Sequence, residues 1–233
     1  SRNRKDKKRL HIGYLSSDFK CHAMMQFILP LLESHHQDKF DFSLFSTTKK
    51  NDYVTERIKQ TGMLWNDCSN MTNEQLAKFI YCNNVDILVD LGGFTHCRSF
   101  ALMQKPAPIQ MQYLGFVNTL GIPEIDYIFA DEFTIPKDFA KNYTEKPLYL
   151  GTCMQRFCFN NKNQVLPELN ELPYHKNGYI TFGSFNCTSK LNDYTLELWA
   201  KLLKEVPSSK LLIYRTQMTP SIIERLKYKF ESF

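Results

Sequence analysis

The chain has 233 residues, is 43% hydrophobic and 14% aromatic, and sets 29 Lys and Arg against 24 Asp and Glu for a formal charge of +5. This is enough apolar material for one large domain or two small ones, and it excludes a disordered polar chain. With no run of about 18 apolar residues and no apolar segment behind the basic start, neither a membrane-spanning helix nor a secretory signal is expected, and the expected setting is cytoplasmic.

Residues 1–9 hold the excess charge, because Arg2, Arg4, Lys5, Lys7, Lys8 and Arg9 oppose Asp6 there while the remaining basic and acidic residues balance. A basic tail of this kind reads as a solvated terminus; a nucleic-acid partner would want basic residues clustered on a folded face, and none is expected. Seven cysteines, at 21, 68, 82, 97, 153, 158 and 187, are odd in number and lack a CxxC pair. They read as reduced thiols, and no metal site is expected.

Along the chain, Ile12–Leu15 predicts a first strand and Met24–Leu32 a helix with one apolar face. A strand over Phe40–Phe45, a charged helical stretch over Asp52–Gln60 and a short strand at Met63–Trp65 follow. Thr72 and Gln75 form a capping box ahead of a helix, and Val85–Leu91 is the most strand-like run, closed by Gly92 and Gly93. Arg98–Gln104 allows one or two helical turns before Pro106 and Pro108 stop it. Strands at Ile109–Leu114, Ile125–Ala130 and Lys146–Leu150 complete a parallel α/β sheet covered on both faces.

The expected organisation is a Rossmann-like domain over residues 10–150, a linker or crossover without clear period over 151–177, and a restart of the α/β pattern over 178–233. That restart holds two strands and two helices, half of a nucleotide-binding unit, so the chain reads as a fragment of a longer protein.

Two polar loops at strand ends hold the candidate chemistry. In the first, Ser16, Ser17 and Asp18 lead to His22, which stands before a helix and is expected to be neutral and able to accept a proton; a capping role explains it as simply. In the second, Asn186–Ser189 lead to Lys190, a natural phosphate partner beside helix N-terminal amides, or an ordinary exposed lysine. Gly92-Gly93-Phe94-Thr95-His96 brings bare backbone to a strand end, where a ligand could approach or a plain turn could form.

The stretches IGYLSSDFKCH (12–22), DILVDLGGFTH (86–96), KPAPIQMQYLG (105–115), IDYIFAD (125–131), YTEKPLYL (143–150) and the run 179–213 together resemble the catalytic region of the O-GlcNAc transferase and SPINDLY-like protein glycosyltransferases. The resemblance implies a glycosyltransferase B fold of two Rossmann-like domains facing a cleft. It implies inverting, metal-free transfer from a UDP-sugar, with UDP-N-acetylglucosamine expected, to Ser or Thr hydroxyls of protein acceptors. Tetratricopeptide repeats are expected elsewhere in the parent chain.

By the same resemblance, His22 matches a histidine near the reacting sugar and Lys190 the lysine that neutralises the diphosphate leaving group, and the two are expected on opposite walls of the cleft. Asn186 and Cys187 match the nucleotide-lining loop, and Gly93, Thr95, Gly115 and Thr119 are expected substrate contacts. Relatives often read GYPGTTG or GYPGTSG where this chain has Gly115-Phe-Val-Asn-Thr-Leu-Gly121, so transfer of another hexose to Asn or a hydroxyl, or a non-catalytic interaction module, remain alternatives. The 233 residues alone are expected to be inactive.

Overall fold

The computed structural model describes residues 9–151, 153–155, 157 and 167–233. Residues 1–8 of the basic tail, Cys158 and the asparagine-rich stretch 160–163 lie outside the described residues. The chain forms two compact units, Ser1–Gln164 and Val165–Phe233, divided inside the stretch expected to be a crossover.

In the first unit, strands and helices alternate: β1 (Leu10–Ser16), α1 (Met25–Glu33), β2 (Phe40–Ser46), α2 (Tyr53–Lys59), β3 (Leu64–Asp67), α3 (Asn73–Cys82), β4 (Ile87–Asp90), α4 (Ser99–Leu102), β5 (Ile109–Gln112), β6 (Tyr127–Ala130) and β7 (Lys146–Tyr149). All pair in parallel in the order β3-β2-β1-β4-β5-β6-β7. The period-2 alternation of side chains explains why both faces are buried. Tyr14, Leu44 and Val89 pack with Met25, Ile28 and Leu32 of α1 on one face. Their neighbours Leu15, Phe45 and Leu88 pack with Leu76 and Ile80 of α3 on the other. The Thr72–Gln75 capping box forms as its spacing predicts, and Asp52 caps α2 in the same way.

The second unit contains α5 (Pro173–Asn177), β8 (Thr181–Ser184), α6 (Asp193–Glu205), β9 (Lys210–Ile213) and α7 (Pro220–Ser232), with β8 and β9 paired in parallel. Its core is Leu191, Leu196 and Leu226, packed with Trp199 and Phe230. The helix α5 lies inside residues 151–177, the stretch expected to be a linker or crossover without clear period. Proline stands at its first turn and Gly178 closes it with φ +72°, the usual asymmetry of helix ends. Strands β4 to β7 are shorter than the apolar runs that predict them, whereas β1, β2 and β3 are longer. Val85 and Leu91, for example, flank β4 while remaining buried, because burial extends past the hydrogen-bonded ladder.

Candidate functional site

Strand order reverses between β1 and β4, so the connections leaving their carboxyl ends part and leave a crevice between them. A cavity of about 340 Å³ opens there, lined by Asp18, His22, Met24, Thr95, Gly115 and Gln155 among others. Three of the residues singled out in the sequence, His22, Thr95 and Gly115, are thus brought together from the loops after β1, β4 and β5.

The loop after β1 is shaped by its own polar groups. The buried Ser16 hydroxyl accepts from the Asp18 amide at 2.9 Å, and the Asp18 carbonyl accepts from the Lys20 amide at 2.7 Å. His22 Nδ1 accepts from the Met24 amide at 3.3 Å, one of the N–H groups that a helix leaves without a partner. With Nδ1 used as an acceptor, the ring proton resides on Nε2, and His22 offers a donor. Asp18 Oδ2 lies 3.8 Å from the same Nδ1. Moving the proton to Nδ1 would exchange the Met24 contact for the Asp18 carboxylate and free Nε2 to accept a proton. The two readings of His22, cap and base, are therefore two tautomers of one side chain.

The expected glycines are accounted for by packing inside the site. Gly93 has φ +55° and a Cβ there would lie 2.6 Å from Phe116 Cβ; a Cβ on Gly115 would lie 1.9 Å from the Leu91 carbonyl oxygen. Both allow the connections after β4 and β5 to close on one another. Gly93 is buried and is not part of the cavity lining. Thr119 is also outside the lining, and its hydroxyl donates to Glu145 Oε2 at 2.6 Å while accepting from the Gly121 amide at 3.1 Å. The buried Glu145 also accepts from the Leu120 amide at 2.8 Å, so it pins the 115–121 loop to the chain before β7.

Two features had no local signal. Gln155 reaches the cavity from the stretch expected to be a linker. It is held there through Met154, whose amide donates to Asp131 Oδ2 at 2.8 Å and whose carbonyl accepts from the Tyr113 hydroxyl at 2.9 Å. The Met154 amide, with those of Thr134 and Phe133, holds the Asp131 carboxyl below its ordinary value. The second is His96, which is buried with Asp90 at the foot of the same turn, Nε2 to Oδ1 2.7 Å.

In the second unit, the loop after β8 carries Asn186, Cys187 and Lys190, all exposed. Lys190 ends a 3-10 turn (Thr188–Lys190) just before Asn192 caps α6 by accepting from the Thr195 amide at 2.8 Å. Its ammonium is in no ion pair among the described residues. The Ser189 hydroxyl, 3.2 Å from Cys187 Sγ, and the Ser189 amide draw that thiol below its ordinary pKa, helped by Arg215 and Lys190. This loop favours anions. Asn186 turns back toward Ser184 Oγ at 3.5 Å.

The cysteines of the described residues are free, and burial pushes the Cys68 thiol up to about 12. Among the described residues no group of three or more His, Cys, Asp or Glu is arranged to hold a metal ion.

Comparison with known proteins bears on the family of the chain. A protein of Arabidopsis thaliana named "Probable UDP-N-acetylglucosamine--peptide N-acetylglucosaminyltransferase SPINDLY" is 32% identical over 217 residues, which is 91% of this chain and 23% of that protein. A second Arabidopsis protein, of the same description and named SEC, is 31% identical over 215 residues, 89% of this chain and 22% of its own length. The chain thus spans about a quarter of the length of these relatives. The solved structure of a mutant O-GlcNAc transferase from Thermobaculum terrenum superposes with a TM-score of 0.86 at 30% identity, covering 97% of this chain and 42% of that one. This similarity agrees with the expected glycosyltransferase B class for the seven-stranded parallel sheet. The profile of glycosyl transferase family 41 matches residues 1–177, and the chain belongs to that family.

Proposed function

We propose that this chain is part of a protein glycosyltransferase that moves N-acetylglucosamine from UDP-N-acetylglucosamine to Ser or Thr hydroxyls of acceptor proteins. The similarity along nearly the whole chain to an O-GlcNAc transferase carries the reading. In such a transfer the acceptor oxygen bonds to the anomeric carbon as the bond to the UDP oxygen breaks. The diphosphate leaves with the electron pair, and the hydroxyl proton passes to a base.

The local chemistry supports a division of labour. Among the described residues, the lining of the cavity beside His22 contains no Lys or Arg, and Asp18 is its carboxylate. It suits neutral hydroxyl-bearing groups rather than a diphosphate. His22 either donates from Nε2–H to a sugar or acceptor oxygen or, with its proton on Nδ1 facing Asp18, takes up the acceptor proton. Lys190 and the amides at the start of α6 suit the charge that grows on the leaving diphosphate. Asn186 and Cys187 are the proposed nucleotide contacts, with Thr95 and Gly115 on the side of the sugar or acceptor. Gly93 and Thr119 shape that side from within. A cytoplasmic setting and a tetratricopeptide-repeat region in the parent chain belong to the same proposal.

Donor identity is tested by offering the full-length protein equal UDP-N-acetylglucosamine and UDP-glucose with a mixture of acceptor proteins. Intact mass should show N-acetylhexosamine added, with fragmentation placing it on Ser or Thr. Addition of a hexose, or modification of Asn, would reject this reading.

A further inference from the structure

We propose that Asp90 and His96 form a positioning pair that sets the β4 side of the cavity; the proposal rests on the functional reading above. The two side chains are among the least exposed polar groups described, at 2% and 0%, with His96 Nε2 2.7 Å from Asp90 Oδ1. Neither lines the cavity. A buried pair of this kind adds little stability over apolar replacements, so its geometry is what calls for a role.

That geometry is a brace around the Gly92–His96 turn. Asp90 accepts from the Gly93 amide at 2.8 Å and the Gly92 amide at 3.3 Å, and meets the His96 ring from the far end of the turn. One carboxylate therefore gathers the start and the end of a five-residue segment. Thr95, which faces the cavity, is the residue just before His96, and its hydroxyl donates to the Gly92 carbonyl at 2.6 Å. The hydroxyl proton is thereby directed inward, and the oxygen lone pairs are left for a ligand.

His96 also explains Gly92. A Cβ on Gly92 would sit 2.4 Å from His96 Cδ2, so the ring occupies the space that any other residue at 92 would fill. Gly92 has φ −119° and ψ −28°, which alanine adopts without strain. The constraint at 92 is therefore the imidazole itself. Neither ring nitrogen of His96 makes an aligned hydrogen bond among the described residues; Nε2 lies 2.7 Å from Asp90 Oδ1 as a close polar contact, so the ring is held by that contact and by packing against Gly92.

The test uses the full-length protein with His96→Ala, His96→Gln, Gly92→Ala and the Gly92→Ala/His96→Ala double variant. Each is assayed for kcat and KM for donor and acceptor, for thermal midpoint, and for amide hydrogen exchange over residues 92–95. His96→Ala should lower kcat/KM by about 10- to 100-fold, the scale of a misplaced binding group, and speed exchange in the turn. His96→Gln keeps an N–H to face Asp90 and should recover most of both effects. Gly92→Ala should be harmful alone and nearly silent when His96 is already Ala, because the two changes share one space.

Equal kinetics and exchange in His96→Ala and wild type would overturn the proposal. So would losses in His96→Ala and His96→Gln that follow the thermal midpoint alone, or additive effects in the double variant. Should His96→Ala not fold, His96→Gln and Gly92→Ala are judged by the same criteria. If the wild-type protein transfers no sugar while the exchange results hold, the functional reading fails and the brace stands. Active wild type with unchanged exchange in His96→Ala rejects the brace and leaves the functional reading in place.

Discussion

At the scale of single residues, the candidate site is built on polar groups that serve backbone amides and, in the proposed reaction, chemistry as well. His22 accepts from the Met24 amide at Nδ1 and lies near Asp18, so the cap uses Nδ1 while the proposed base would use Nε2, the two alternating with the position of one ring proton. Lys190 has no carboxylate to satisfy among the described residues, which leaves its charge available to an anion. In the full-length enzyme, Lys190→Ala should lower kcat by about 10²- to 10³-fold, the cost of removing one preorganised charge-stabilising group. Steady-state kinetics with a saturating donor checks this. Asp131 makes a prediction about acid. Its folded pKa lies below the ordinary 3.8, so its contribution to stability is complete above that value and is lost as pH falls through the lower, folded value. Acid titration followed by circular dichroism should show Asp131→Asn less stable than wild type at neutral pH. The gap should narrow below about pH 4.

At the scale of elements, the cavity exists because three connections can approach closely. Gly115 lies against the Leu91 carbonyl, so Gly115→Ala should push the β5 connection away from β4 and lower stability by about 1–3 kcal/mol, as overpacking does. Denaturant unfolding of the chain measures it. The elements themselves were legible wherever a local rule governed them: the Thr72–Gln75 capping box, the alternation in Phe40–Phe45, the prolines after α4. The signal for α5 was also present, in Pro173 and Gly178, and was masked by the polar composition around it. The braces were not legible. Thr119 and Glu145 are 26 residues apart, and Asp131 and Met154 are 23 apart, so the bonds joining them leave no periodicity in the sequence. His96 illustrates the other limit, since a histidine after two glycines reads the same whether it is solvated or buried beside Asp90.

At the scale of the molecule, each of the two units presents one loop of the proposed reaction at the carboxyl end of a strand. The first unit has a crevice with His22 and Asp18 at a reversal of strand order; the second has a turn where Lys190 and Arg215 lie near Cys187. His22, Thr95 and Gly115 could be assembled from the sequence only through the family resemblance, because spacing alone says that each follows a strand and not that the strands are neighbours. The central claim is that the crevice beside His22 is where the acceptor hydroxyl reacts. It is tested most directly by kcat for N-acetylglucosamine transfer in the full-length His22→Asn variant, measured with the thermal midpoint. Asparagine can still accept from the Met24 amide, so the midpoint should stay near wild type while kcat falls by about 10²- to 10⁴-fold, the range of a lost acid–base group. A His22→Asn enzyme with wild-type kcat would contradict the account.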